Sequence, residues 1–187
     1  MEKYWNEAIS FEEYMNVADQ RANNPKDEQE KEFHGYYELG LQRMTRALKT
    51  YKPDENQREA LASKNFKGKV LIITEPWCGD ASATVPQVSK FFESENEVRI
   101  FLRDNDHSLI DQFLTNGTQS IPKVVLLDED FSVINSWGPR PKFGLELLEK
   151  YKADPVAFPQ EEFYNQLQVY YAKNRGKDAI GEILELL

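Results

Sequence analysis

The apolar positions after residue 69 change from an unbroken run to a helical spacing. Val70–Ile73 is a continuous, β-branched-rich run, which is typical of a strand buried on both faces. The apolar residues that follow recur at about 3.6 positions, the spacing of one helix face; they are Ala81, Val85, Val88 and Phe92. The pattern therefore predicts a strand followed by an amphipathic helix that runs to about residue 93.

A second strand and helix are predicted next. Apolar residues alternate over residues 98–103, which indicates a strand. Residues 107–116 carry an apolar helical pattern and are followed by Gly117, a residue type common just after a helix end, so we expect a helix there. An order of strand, helix, strand and helix implies parallel strands joined by right-handed crossovers.

The next two apolar runs predict a hairpin. Residues 123–127 and 131–137 are separated only by Asp128, Glu129 and Asp130, and so short a connection requires antiparallel strands. Pro141 is well placed as the first residue of a helix that extends to about residue 150.

Helical patterns flank this central region on both sides. Ser10 with Glu13 has the form of a capping box, and further helical spacing covers residues 33–51 and a short segment after Asp54. Two more helical patterns occupy the end of the chain, around residues 163–171 and 180–187. Two tyrosine pairs lie in the flanking helices and are expected to pack between helices; they are Tyr36, Tyr37, Tyr170 and Tyr171.

Composition and charge narrow the class of protein. The chain has 187 residues, of which 40% are hydrophobic and 29% charged, as expected for one folded domain. Its formal net charge of -9 argues against nucleic acid and anionic membranes as partners, because both require a basic surface. No signal-like or membrane-length segment is present in the sequence, and the single cysteine suits a reducing compartment, so we expect a cytoplasmic location.

The sequence gives no reason to expect a metal or another cofactor. No Cys, His and carboxylate spacing typical of a metal site occurs, and no glycine-rich phosphate-binding motif is present. Arg140, between two prolines, could face an anionic partner, although a solvated loop arginine is the simpler expectation.

The chemistry of the chain is concentrated at Cys78, which lies between the first predicted strand and helix. An unperturbed thiol has a pKa of about 8.5, and a helix N-terminus can lower that value by about one unit. Asp80 and Glu75 oppose this effect because they disfavour a second negative charge. We therefore expect an accessible and moderately reactive thiol; the other interpretation is a packed turn residue without chemistry.

Trp77-Cys78-Gly79, Pro86 and Ile121-Pro122, within this order of elements, resemble the thioredoxin superfamily. The resemblance implies an α/β, thioredoxin-like βαβ-ββα three-layer sandwich over residues 66–151. Residues 1–65 would be a helical N-terminal extension packing on that core, and residues 152–187 a C-terminal helical extension, in one compact domain overall. A bacterial subgroup with a Trp-Cys-Gly-Asp motif looks similar over most of the length.

The same resemblance assigns roles to individual residues. It implies that Cys78 is catalytic, that Trp77, Gly79, Ile121 and Pro122 bind substrate, and that Pro122 is cis with its loop against the sulfur. Two positions depart from the pattern. Ala81 stands where the family has its second cysteine, and Ile72 stands where it has a buried aspartate.

These departures leave two functions, of which the sequence favours the first and keeps the second as the alternative. The chain could be a single-cysteine protein that exchanges disulfides with protein or low-molecular-weight thiols, a second thiol from outside resolving the mixed disulfide. It could instead be a non-catalytic module that binds a peptide in a groove near Trp77 and Pro122.

Overall fold

A four-stranded mixed sheet flanked by nine helices makes up the molecule. The computed structural model describes residues 1–187. The strands are β1 (Lys69–Thr74), β2 (Glu97–Leu102), β3 (Lys123–Leu127) and β4 (Val133–Trp137). The helices are α1 (Glu2–Glu7), α2 (Phe11–Asn23), α3 (Glu28–Glu32), α4 (His34–Thr50), α5 (Glu55–Lys64), α6 (Gly79–Phe92), α7 (Lys142–Ala153), α8 (Gln160–Asn174) and α9 (Lys177–Glu185). None of these helices combines the length and the apolar character that crossing a membrane requires.

The strand order β2-β1-β3-β4 places β1 and β3 in the middle of the sheet. β1 pairs with β2 in parallel, with Ile72 opposite Ile100, and with β3 in antiparallel, with Ile72 opposite Val124. β3 and β4 form the antiparallel hairpin. Both the parallel crossover and the hairpin are therefore confirmed, and the α/β class of the fold is that of a thioredoxin-like sheet with added helices.

One hydrophobic core joins the sheet to the helices from both ends of the chain. Its buried residues include Trp5 and Tyr14 from the N-terminal helices and Ile183 from α9, together with nearly all of β1 and β3. A smaller cluster lies between α7 and α8 and includes Phe163 and Leu167. Full burial of such side chains contributes about 1.5–3 kcal/mol each, so the flanking helices contribute substantially to the stability of the central sheet.

Two predicted helix starts are confirmed at atomic detail. The Ser10 hydroxyl accepts the Glu13 N–H at 3.2 Å while the Glu13 carboxylate accepts the Ser10 N–H at 2.7 Å, which is a complete capping box. Asp54 caps α5 by accepting the N–H groups of Asn56 and Gln57. Helix α3 was not predicted, because its five residues are all polar and carry no apolar periodicity.

The helix predicted over residues 107–116 is wrong. That segment contains only a single 3-10 turn, Ile110–Phe113, and then becomes extended. Asn116 and Gly117 both have positive φ, and Thr115 and Thr118 exchange backbone hydrogen bonds across them. Asn-Gly favours this two-residue hairpin turn, so Gly117 belongs to a turn rather than to a helix end.

The second strand of the hairpin is shorter than predicted. Phe131 adopts a positive φ of 64° in the turn, and β4 begins only at Val133. The Asp128 carboxylate accepts the N–H groups of Asp130 and Ser132, which fixes this turn and delays the start of the strand.

Candidate functional site

The turn between β1 and α6 places Cys78 at the N-terminus of α6. The Cys78 N–H donates to the carbonyl of Glu75 at 3.1 Å, and its own carbonyl accepts the N–H of Ser82 at 3.0 Å. Cys78 is thus the N-cap residue, and α6 begins at Gly79. The first N–H groups of a helix have no partner within it, and those of Ala81 and Asp80 act to lower the pKa of the Cys78 thiol.

The thiol of Cys78 is nevertheless buried and protonated. Only 8% of the residue is exposed, and the thiol donates a hydrogen bond to the carbonyl of Ile121 at 3.5 Å. Burial, followed by the nearby carboxylate of Asp80, raises the pKa of Cys78 to about 12, whereas the N–H groups of Ala81 and Asp80 act to lower it. The prediction of an accessible thiol is therefore wrong, and burial outweighs the favourable helix terminus in its effect on the pKa of Cys78, whereas the reactivity of the thiol stays a prediction.

The loop before β3 lies against the sulfur. The Ile121-Pro122 peptide bond is cis, and it is the Ile121 carbonyl that accepts the thiol hydrogen. Lys123, the next residue, is buried and donates from Nζ to Thr115 Oγ1 at 2.8 Å and to the Gly138 carbonyl at 3.1 Å. Its contacts link the loop to the end of β4.

A wide groove of about 1210 Å³ opens above this turn. One side is formed by residues of α4 and the segment before it, the other by residues of α8, and the Cys78 turn lies between them. Of the predicted site residues, Trp77, Cys78, Gly79 and Ile121 line the groove, whereas Pro122 does not and is buried.

The indole of Trp77 is held in place from three directions. Its Nε1 donates to Asp104 at 3.1 Å, the ring of Phe33 lies 5.4 Å away, and the Arg103 guanidinium lies 5.0 Å from its centroid. Contacts of this kind fix the ring as part of the groove surface. Tyr36, which we expected to pack between helices, is instead 62% exposed and also lines the groove.

Asp80 forms a buried cluster that the sequence did not reveal. The hydroxyl of Tyr171 donates to one of its carboxylate oxygens at 2.8 Å, and the Arg140 guanidinium contacts the other. Burial and the carboxylate of Asp80 raise the pKa of Tyr171 well above its usual value. The simpler expectation for Arg140, a solvated loop side chain, is wrong: it is largely buried and paired.

A second buried carboxylate, Glu75, lies on the other side of the turn. Arg21 Nη1 contacts its Oε2 at 2.9 Å, and the backbone N–H of Asp104 donates to its Oε1 at 2.8 Å. Burial raises the pKa of Glu75, although the hydrogen bond from Asp104 and the charge of Arg21 oppose that shift. Arg21 also pairs with Glu30, so Glu75 connects the turn to the N-terminal helices.

The molecule contains no group of three or more His, Cys, Asp and Glu side chains that could hold a metal ion. The two carboxylates near Cys78 are each paired with an arginine, Glu75 with Arg21 and Asp80 with Arg140, so the chemistry available at the turn is that of one thiol and the surface beside it.

A cysteine at the N-terminus of the helix after β1, facing a cis-proline loop before β3, defines a thioredoxin-like protein with one cysteine. The chain belongs to the thioredoxin family: a family model described as thioredoxin matches residues 26–152. The match begins well before residue 66, so it includes α4, which forms one side of the groove.

Two solved structures resemble the whole chain. One is a protein of unknown function from Pseudomonas aeruginosa, with a TM-score of 0.61 and 17% identity, covering 97% of this chain and 92% of that one. The other is an HIV epitope-scaffold, with a TM-score of 0.63 and 15% identity, covering 98% and 94% of the two chains. At these identities the likeness establishes the fold alone. Comparison with curated proteins gives no match.

Proposed function

We propose that this chain is a thioredoxin-like protein that binds an extended segment of a partner protein in the groove above Cys78, without catalysing disulfide exchange. The observation that carries the proposal is the state of the only thiol: Cys78 is buried, donates to the Ile121 carbonyl and has a pKa raised to about 12. The thiolate is the nucleophilic form of cysteine, and such a pKa leaves almost none of it at neutral pH.

The groove itself supports a binding role. Tyr36, Leu39 and Tyr164 are large apolar side chains exposed along it, at 62%, 41% and 49%. Exposed aromatic side chains that line a concavity are typical of surfaces that bind a partner. Ala81 supports the same interpretation, because the chain has no second cysteine to resolve a mixed disulfide.

One observation favours a second candidate function, single-cysteine exchange. Cys78 is the N-cap of α6, and the N–H groups of Ala81 and Asp80 act to lower its pKa, so they would stabilise a thiolate if Cys78 became exposed. The Cys78 thiolate would then attack one sulfur of a partner disulfide, form a mixed disulfide and release the other sulfur as a thiolate. An external thiol would resolve the product. A reducing compartment such as the cytoplasm supplies such thiols and keeps Cys78 free.

Two measurements on wild type and Cys78→Ser separate these functions. The first is peptide binding by selection from a randomised display library. The second, on wild type, is mixed-disulfide formation with oxidised glutathione at neutral pH, followed by mass spectrometry. The binding role predicts equal peptide binding by both proteins and negligible mixed disulfide until the chain is unfolded. Rapid mixed-disulfide formation by the folded protein, with peptide capture lost in Cys78→Ser, would overturn it in favour of exchange.

A further inference from the structure

Arg43 is the one arginine of the groove whose guanidinium has no partner. It lies on α4, and its Nη1 is 3.6 Å from the position that a Cβ on Gly79 would occupy. It forms no hydrogen bond or ion pair within the chain. The other two arginines that line the groove are both paired, Arg103 with Asp104 and Arg140 with Asp80.

The charge of Arg43 is not paired with the carboxylate of Asp80, although that carboxylate acts on its pKa. Burial lowers the pKa of the Arg43 guanidinium, and the negative charge of Asp80 only partly opposes that shift. Both oxygens of Asp80 are already engaged, by Tyr171 and Arg140. A partly buried cation without a close anion is unfavourable, and a guanidinium matches a carboxylate through two parallel hydrogen bonds.

The surroundings of Arg43 restrict what could supply that carboxylate. Leu39 and Tyr36 lie one and two turns earlier on the same helix face and are exposed, so apolar surface adjoins the cation. The exposed carboxylates of Glu32 and Glu161 also line the groove and would repel a densely charged anion. One carboxylate among apolar groups fits this arrangement better than a polyanion does.

We propose that the groove selects a peptide segment of a partner protein in which one Asp or Glu side chain, flanked by apolar residues, binds Arg43. The carboxylate pairs with the guanidinium beside Gly79, and the flanking apolar side chains contact Tyr36 and Leu39. This inference rests on the proposed peptide-binding function and names the class of peptide.

The test uses the same display library with four proteins: wild type, Arg43→Gln, Arg43→Glu and Arg46→Gln. Arg46 is an exposed arginine of the same helix with no ion pair, which makes it the matched control. The strongest peptide selected by wild type is then synthesised with its acidic residue and, separately, with the corresponding amide. Binding of both peptides is measured by fluorescence anisotropy, with free glutamate as a competitor.

Wild type and Arg46→Gln should enrich one acidic residue per peptide, Arg43→Gln should lose that preference, and Arg43→Glu should enrich Lys or Arg instead. Wild type should bind the amide peptide about tenfold more weakly or worse, the effect of one charge-assisted hydrogen bond. That comparison needs no variant, so it holds even if an Arg43 variant fails to fold.

Three outcomes overturn the inference. Peptides that bind without an acidic preference would remove the role of Arg43 and leave the groove as a peptide site. Competition by free glutamate at the concentration that the peptide requires would assign Arg43 to a small carboxylate ligand. If no protein enriches any peptide, both the inference and the proposed function fail.

Discussion

The hydroxyl of Tyr171 donates a hydrogen bond of 2.8 Å to the carboxylate of Asp80, although Asp80 lies within the region that matches the thioredoxin family and Tyr171 lies beyond its C-terminal end. Tyr171 is on α8 and Asp80 is in the first turn of α6, directly after the Cys78 turn. Helix α8 is thereby attached to the candidate site by a buried polar contact as well as by packing.

Replacing Tyr171 with phenylalanine should destabilise the protein by about 1–3 kcal/mol, because a buried carboxylate loses a hydrogen-bond donor. Denaturant unfolding measures the change. Tyr164→Phe is the matched control on the same helix, since that hydroxyl makes no hydrogen bond and the residue is 49% exposed; its effect should stay within about 0.5 kcal/mol. Equal losses in the two variants would mean that the contact to Asp80 contributes nothing.

Replacing Asp80 with asparagine should lower the pKa of Cys78. The Asp80 carboxylate is the second cause, after burial, that raises this pKa, and its removal also leaves the Arg140 charge uncompensated near the sulfur. The rate of Cys78 alkylation by iodoacetamide across pH, followed by mass spectrometry, reports the change, because the chain has a single cysteine. Arg140→Gln should shift the pKa in the opposite direction, since Arg140 acts to lower it. Identical titration curves for all three proteins would contradict this account.

The fold was predictable because its central elements carry local signals. The apolar run of β1, the helical spacing of α6 and the short hairpin connection are all read from neighbouring residues. The helix predicted over residues 107–116 is wrong because a glycine after an apolar stretch is compatible with two local structures. It can end a helix, or it can form the second residue of an Asn-Gly hairpin turn, as Gly117 does.

The candidate site was only half predictable for a related reason. The cysteine turn and the loop beside it follow from the motif residues that resemble the thioredoxin superfamily. The contacts that hold Asp80 beside Cys78, from Tyr171 and Arg140, depend on how α8 and the loop after β4 pack, and such long-range pairs leave no periodicity in a sequence. The pKa of Cys78 followed burial, which the sequence did not reveal.

Glu75 should give the protein a distinctive dependence of stability on pH. Burial raises its pKa above the ordinary 4.5, so the folded state binds this proton more tightly than the unfolded chain does. The stability that Glu75 contributes is therefore complete below the unfolded pKa and is lost as pH rises through the higher folded pKa. We expect the unfolding free energy of wild type, relative to that of Glu75→Gln, to fall as pH rises from the unfolded to the folded pKa of Glu75.

Chemical denaturation at successive pH values tests this expectation. Glu59→Gln is the control, because Glu59 is exposed and makes no ion pair, and its difference from wild type should not change with pH. If the unfolding free energy of wild type instead rises relative to that of Glu75→Gln as pH increases, the attraction of Arg21 and the hydrogen bond from Asp104 outweigh the burial of the Glu75 carboxylate.

Two glycines of α4 should respond in opposite ways to replacement by alanine. A Cβ on Gly40 would lie 2.5 Å from the carbonyl oxygen of Pro76, the residue before Trp77 in the turn, whereas a Cβ on Gly35 would meet nothing within 4 Å. Alanine normally stabilises a helix relative to glycine by up to about 1 kcal/mol, so Gly35→Ala should be neutral or stabilising. Gly40→Ala should lower the free energy of unfolding by about 1–3 kcal/mol, because α4 and the turn must move apart.

The same movement should loosen the packing over Cys78, so a thiol reagent should modify Gly40→Ala faster than wild type or Gly35→Ala under native conditions. Stabilisation by both substitutions, with unchanged thiol modification, would show that α4 does not press on the turn and that the burial of Cys78 is set by the Ile121 loop and α8 alone.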